Sequence, residues 1–364
     1  MNFDLSDEQR MLDDSLARLL ADHADFETRR RLSSRAPGWS PELWAEFARL
    51  GLLALPFDEK QGGIGGGPVD TMLVMRQLGR ALSAEPFLET CVLAPVLLSE
   101  DGGGVVTALR GDIMEGRAIC TVAARQESAD LVQAASTGGE WRLTGNASLV
   151  PWGGEADWLI LPAETGKGLA LFLIEGERAG VTRRGYPTQD GRRSAKITFK
   201  DAVAQRLAAS DAGGLLDRAR ATALAAICAE AVGAMESCLE QTVEYLRTRQ
   251  QFGTVIGKFQ ALQHQAADMV IALEQARSMA FFAAMNCEQA DAALRERALS
   301  AAKVQINRSA RSIGQAAIQL HGGIGMTMEL AIGHYFKRLT MIELSFGDLD
   351  HHLDRLAAAG GLAA

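Results

Sequence analysis

A mainly helical protein with a central β-domain is the fold class that this sequence predicts, and three observations predict it. From residue 6 to about 110, and again from about 215 onward, apolar residues recur at steps of three and four. Between about 118 and 200 they change to short apolar or alternating runs separated by turn residues. Ala and Leu are abundant while aromatic residues make up 6% of the chain, which favours helices over sheet. The expected organisation is an N-terminal helical domain over 1–116, a β-domain over 117–210 and a C-terminal helical bundle over 211–364.

Taken in order, Ser6-Asp7-Glu8-Gln9 can cap a first helix whose apolar positions include Met11, Leu12, Leu16, Leu19 and Leu20. Ser40 followed by Pro41 reads as the N-cap and first position of another helix. The run Gln61-Gly62-Gly63-Ile64-Gly65-Gly66-Gly67-Pro68 breaks the pattern, and a helix follows from about Val69 to Leu82. A phosphate cradle normally follows a strand. Here a helix precedes the glycines, so a plain turn is favoured over ligand contact.

In the β-domain, expected strands include Ala118–Val122, Trp141–Gly145 after a Gly138-Gly139 hairpin signal, Trp158–Leu161, Leu169–Ile174 and Lys196–Phe199, in a total of six to eight. Asp211-Ala212-Gly213-Gly214 reads as the exit turn. Leu262, Ala266, Met269, Leu273, Ala276 and Ala280 mark one face of a long helix, and a second long helix covers about 292–320. Helices this long and apolar need partners on more than one side, so subunit contacts are expected.

The net charge is −8, which argues against nucleic acid or an anionic membrane surface as the main partner. The five cysteines show no CxxC spacing and the six histidines no zinc spacing, so no metal site and a reducing, cytoplasmic setting are expected. The acidic start Met1–Glu8 does not read as a signal peptide. No segment reads as the roughly 20 apolar residues that span a bilayer.

Two segments carry chemistry. One is Tyr245-Leu246-Arg247-Thr248-Arg249-Gln250-Gln251-Phe252-Gly253 with Gln260 downstream; the other is Gln319-Leu320-His321-Gly322-Gly323-Ile324-Gly325-Met326. A guanidinium such as Arg249 suits a pyrophosphate, Phe252 offers an apolar face to a flat ring, and Gln260 and Gln319 can both donate and accept. Gly322-Gly323 ends a helix and lets backbone approach a ligand. Singly, Arg249 reads as a surface ion pair and the glycines as a helix cap.

Together the segments resemble the acyl-CoA dehydrogenase family, whose signatures read Y-x-x-x-R-x-x-F-G and Q-x-x-G-G-x-G, and the resemblance spans essentially the whole chain. It implies an N-terminal helical bundle, a β-barrel or sandwich, and a C-terminal four-helix bundle with FAD and subunit contacts. It also implies an FAD site shared between subunits, with Arg249, Gln251, Phe252, Gln260, Gln319, Gly322 and Gly323 as cofactor-binding residues. The implied reaction is α,β-dehydrogenation of an acyl-CoA thioester, in which a carboxylate takes the α-proton, with an electron-transfer flavoprotein as acceptor.

The sequence departs from that pattern where the base should be. Phe346 falls at the usual Glu position, and the earlier alternative position falls in Ala221-Thr222-Ala223-Leu224, which has no carboxylate. The middle-domain flavin loops are not recognisable at Ala123–Glu127 or Leu149-Val150-Pro151. Asp348, Glu343 and Asp350 remain as acids; Asp348 reads as a cap for a helix from about Leu349 to Leu356, and Glu343 as a surface acid.

The ending Phe346-Gly347-Asp348 through His351-His352-Leu353, with the run from Arg184 to Gly191, is similar to the small subunits of pimeloyl-CoA dehydrogenases. This similarity implies a base-poor subunit of a heteromeric enzyme, completed in a tetramer by a Glu-bearing paralogue and acting on a dicarboxylyl, steroid side-chain or other bulky acyl-CoA. The alternatives are a homo-oligomer using Asp348 or Glu343, a non-catalytic flavin- or acyl-CoA-binding member, and a DNA-associated relative that the acidic balance disfavours.

Overall fold

The computed structural model describes residues 5–123 and 131–360. The start Met1–Asp4 and all but Ala123 of the Ala123–Glu127 stretch lie outside the described residues. Six α-helices come first: α1 (Asp7–His23), α2 (Phe26–Ser33), α3 (Pro41–Arg49), α4 (Pro68–Arg80), α5 (Ala94–Leu98) and α6 (Gly104–Met114). Ser6 and Gln9 close a reciprocal capping box on α1, and Ser40 caps α3 with Pro41 at its first position. Leu16 and Leu20 face inward, but Met11 is exposed, because its position falls on the solvent side of the helix. A π-helical turn, Leu88–Leu93, leads into α5.

Seven strands follow: β1 (Cys120–Val122), β2 (Gln133–Thr137), β3 (Glu140–Pro151), β4 (Trp158–Thr165), β5 (Gly168–Glu175), β6 (Val181–Pro187) and β7 (Arg193–Arg206). Pairing runs β4-β2-β3-β7-β5 and returns from β5 to β4, so five strands close into a barrel. β1 adds to β4 in parallel and β6 to β7 antiparallel. Inward positions such as Leu143, Ile197, Phe199, Leu171 and Leu161 fill the barrel core. β6 has no clean alternation because Thr182, Arg183 and Arg184 are consecutive polar residues, which hid it from sequence patterning.

The rest is helical: α7 (Ala212–Thr248), a small hairpin of β8 (Gln250–Gln251) and β9 (Thr254–Val255), α8 (Gln260–Asn286), α9 (Ala292–His321), α10 (Ala331–Leu344) and α11 (Leu349–Ala358). The expected exit turn at Asp211–Gly214 is corrected. Asp211 takes the Gly214 N–H and caps α7, so both glycines lie inside the first helical turn. The expectation of no membrane-length apolar segment is also corrected: α7 is long and apolar enough to cross a bilayer. However, 94% of its most apolar window is buried within the fold, as in a core helix.

Two compact units interleave along the chain. One takes the described residues up to Arg29, Pro68–Ser83 and everything from Leu224 on; the other takes Arg30–Gly67 and Ala84–Ala223. Within the first, α4 and α7 touch backbone to backbone. A Cβ on Gly79 would fall 2.0 Å from the Glu230 carbonyl oxygen, and one on Gly233 1.8 Å from that of Arg76. Beside this crossing Glu236, fully buried, accepts from Arg76, Arg80 and Arg277. Burial pushes its carboxyl up, but the three guanidiniums outweigh burial and leave it below its ordinary value.

Candidate functional site

The two chemistry-bearing segments meet at one end of the helical unit. α7 runs into the β8–β9 hairpin, α8 leads away, and α9 returns packed along α8. The ends of α7 and α9 then touch: the Tyr245 ring stacks on His321 with centroids 4.4 Å apart and planes 26° apart. His321 is buried, and its Nδ1–H donates to the Ala317 carbonyl at 2.8 Å, because a carbonyl can only accept. Burial holds this imidazole below its ordinary pKa despite that bond.

The seven predicted cofactor residues lie on or beside these two helix ends. Arg249 directly follows α7, is exposed, and among the described residues makes no ion pair. Its carbonyl accepts the Ile256 N–H at 2.9 Å, closing the hairpin. Gln251 precedes the turn, and Phe252 at its tip is 89% exposed with φ +54°, followed by Gly253 at φ +78°. A two-residue hairpin turn with both φ values positive normally takes Asn or Gly first. A bulky aromatic there costs about 1–2 kcal/mol. Gln260 opens α8, and Gln319 lies in the last turn of α9; both are exposed.

Gly322 ends α9 at φ +65°, donating its N–H to the Gln319 and Ile318 carbonyls, so its backbone conformation requires glycine. A Cβ on Gly323 would meet nothing within 4 Å, so none of the described residues occupies that space. Exposed Phe259, Ile324, Met326 and Met328 flank these residues. A guanidinium, an outward aromatic, amides and bare backbone beside apolar side chains fit a ligand with a pyrophosphate and a flat ring.

The candidate acids are placed differently. Asp348 caps α11, accepting the His351 N–H at 2.9 Å, as its capping reading expects. Glu343, in the last turn of α10, pairs with Arg311 and is largely covered, so it is not the free surface acid of the sequence reading. Asp350 lies in the exposed first turn of α11, and His351 and His352 lie on that helix. Phe346 stands between α10 and α11 at φ +58°. In the other candidate position, Ala221 and Ala223 are buried inside α7 and Thr222 donates to the Arg218 carbonyl.

Sequence reasoning assigned no role to Lys303. It is fully buried on α9 and donates to Asn307 Oδ1 at 2.9 Å and to the Ile342 and Glu343 carbonyls at 2.6 and 3.2 Å, plugging the C-terminal end of α10. Its signal was a lysine one step along a buried stripe of Ser300 and Asn307, visible only once the helix face is known.

The glycine-rich loop is a packed turn. A Cβ on Gly63 would fall 2.1 Å from the Phe57 carbonyl oxygen, and one on Gly66 2.5 Å from Leu55. Leu149 is exposed at φ +54° beside a bulge in β3, while Val150 points into the barrel. Among the described residues no three His, Cys, Asp or Glu side chains are grouped to hold a metal.

Comparison with known proteins concerns the chain as a whole. The acyl-CoA dehydrogenase C-terminal domain matches residues 215–361, and the acyl-CoA dehydrogenase N-terminal domain matches residues 6–99. The chain is 30% identical over 349 residues to acyl-CoA dehydrogenase FadE27 of Mycobacterium tuberculosis, covering 91% of each protein. Among solved structures, the ChsE4-ChsE5 complex from Mycobacterium tuberculosis superposes with a TM-score of 0.89 at 26% identity over 98% of each chain. The FAD complex of PigA superposes with a TM-score of 0.88 at 27% identity over all of each chain.

Proposed function

Because the chain belongs to the acyl-CoA dehydrogenase family, we propose that it is the base-poor, FAD-holding subunit of a heteromeric enzyme that dehydrogenates an acyl-CoA thioester between its α- and β-carbons. The observation that carries this reading is the convergence of Arg249, Gln251, Phe252, Gln260, Gln319, Gly322 and Gly323 at one helix end, all seven of them exposed. FAD in a PigA complex and the pairing of ChsE4 with ChsE5 support it.

In this role Arg249 neutralises a pyrophosphate with a charge that does not titrate near neutral pH. Phe252 covers one apolar face of the cofactor, and the Gln260 and Gln319 amides hydrogen-bond its polar edges. Gly322 and Gly323 let the backbone approach without a Cβ in the way. Because these groups are exposed on their own chain, they serve a cofactor that a second subunit also touches. FAD when bound supplies the acceptor for hydride from the substrate β-carbon.

The α-proton needs a desolvated carboxylate close to the thioester. In this chain Asp348 is engaged as a helix cap, Glu343 pairs with Arg311, and Asp350 is exposed to solvent. The base is therefore assigned to a Glu-bearing paralogue in a hetero-tetramer, and an electron-transfer flavoprotein is the proposed acceptor.

The test is the visible spectrum of the purified chain, alone and co-purified with the paralogue, before and after acyl-CoA is added. Flavin that bleaches only in the two-chain complex is the expected result. Flavin bleached by the chain alone overturns the base-poor assignment, and no flavin in either preparation overturns the cofactor reading.

A further inference from the structure

Each half of the candidate cofactor site is braced on its own helix. The β8–β9 hairpin folds back on α7: Ile256 donates to the Arg249 carbonyl at 2.9 Å, and Gly257 packs so closely that a Cβ would lie 2.7 Å from the Leu246 carbonyl oxygen. The glycine turn folds back on α9: Gly322 donates to Gln319 and Ile318, and a Cβ on Gly325 would lie 2.9 Å from the Ile318 carbonyl oxygen and 3.0 Å from the His321 Cβ. Neither brace relates one half to the other. The residue four before Arg249 and the residue one before Gly322 do so, by stacking: Tyr245 and His321, 4.4 Å apart at 26°.

We propose that Tyr245 and His321 form a positioning clasp that sets the Arg249–Phe252 hairpin at a fixed separation from the Gly322–Gly323 turn, so that both halves grip one cofactor. The His321 ring is the fixed jaw. It is buried, and its Nδ1–H bond to the Ala317 carbonyl at 2.8 Å holds the ring plane. Tyr245 is half-buried and is the jaw that can leave. Without it the hairpin and the turn keep their own shapes but lose their common register. A bidentate or stacked contact to one rigid ligand tolerates little misplacement. The clasp rests on the FAD reading for its purpose, and its geometry can be tested without FAD.

The test pairs ring-keeping with ring-deleting variants: Tyr245→Phe and His321→Phe against Tyr245→Leu and His321→Ala. Spin labels are placed through Thr254→Cys on the hairpin and Met326→Cys beyond the turn. The five native cysteines are buried, so labelling goes to the introduced thiols. Label–label distances are measured on the cofactor-free chain. FAD affinity is measured by flavin fluorescence on the full chain with its partner subunit.

The expected result is a broadened distance distribution and an FAD affinity at least about fivefold weaker in the ring-deleting pair, the scale of one lost aromatic contact. Tyr245→Phe should match the unsubstituted chain in both, and His321→Phe, which keeps the ring but loses the bond to the Ala317 carbonyl, should fall between it and the ring-deleting pair. Unchanged distances in the ring-deleting pair, or a ring-keeping pair as weak as the ring-deleting one, overturns the clasp. If the unsubstituted chain holds no FAD, the cofactor reading fails, and the distance measurement alone decides the clasp.

Discussion

Arg338 on α10 grips Glu230 on α7 in a buried bidentate pair, Nε to Oε1 at 2.6 Å and Nη2 to Oε2 at 2.7 Å. Both side chains are nine-tenths or more buried, so breaking the pair takes a bidentate partner from a charge held away from water. Arg338→Met should therefore destabilise by about 3–5 kcal/mol, because it removes a bidentate cation from a buried carboxylate. The double variant Glu230→Leu with Arg338→Met should lose much less than the sum of the two single changes. Urea unfolding of the three variants checks this, and additive losses would refute the coupling.

Gly79 and Gly233 admit no side chain where α4 crosses α7. Gly79→Ala or Gly233→Ala would drive a methyl into backbone, which cannot give way as a side-chain tip can. Each change should cost about 1–3 kcal/mol or more, with a lower melting temperature. Gly111→Ala is the control. A Cβ there meets nothing within 4 Å, and alanine inside α6 should stabilise slightly.

Burial pushes the Lys303 ammonium down to about 8 from its ordinary value of 10.5. The folded state thus binds its proton less tightly than the unfolded state does. The sign follows: the penalty for holding the charge is in full force below pH 8 and is relieved as pH rises from about 8 towards 10.5. The relief is worth up to about 3 kcal/mol. Lys303→Met should abolish that rise relative to the unsubstituted chain. Chemical denaturation across pH 7–10.5 reads the difference, and parallel curves would show that Lys303 does not titrate in this range.

Asp348 serves as a helix cap and Glu343 as the partner of Arg311. Asp348→Ala should cost about 1 kcal/mol of stability. In the two-chain complex, Asp348→Asn and Glu343→Gln should leave substrate-driven flavin bleaching within about threefold of the unsubstituted rate. Loss of a base would instead cost on the order of a hundredfold or more. A drop of that size in either variant would identify the base in this chain.

Arg249 has no ion-pair partner among the described residues, so its removal should leave folding intact and act on the cofactor. Arg249→Met should keep the melting temperature of the cofactor-free chain within about a degree, as for an exposed surface change. It should weaken FAD binding at least about tenfold, the value of a charge-assisted phosphate contact. Unchanged FAD affinity would exclude this guanidinium from the site.

Local signals were legible wherever neighbouring residues set them. Ser6 with Gln9, Ser40 with Pro41 and Asp348 before Leu349 cap the helices that follow them, because capping is satisfied within one turn of chain. The glycines at 213 and 214 were misread for the same reason. Their turn propensity is real, but the Asp211 cap and the buried face of α7 outweigh it.

The order of helical, β and helical segments, and the two motifs whose residue types suit a pyrophosphate and a flat ring, are written in the amino-acid order. Period and spacing are properties of the chain alone, and they survive folding. Folding alone brings Tyr245 and His321, 76 positions apart in the sequence, face to face. Folding likewise sets Lys303 into the end of α10 and requires Gly79 and Gly233 to be bare. Those facts depend on which helix faces meet and at what distance, and close packing sets both through contacts between segments remote in the chain.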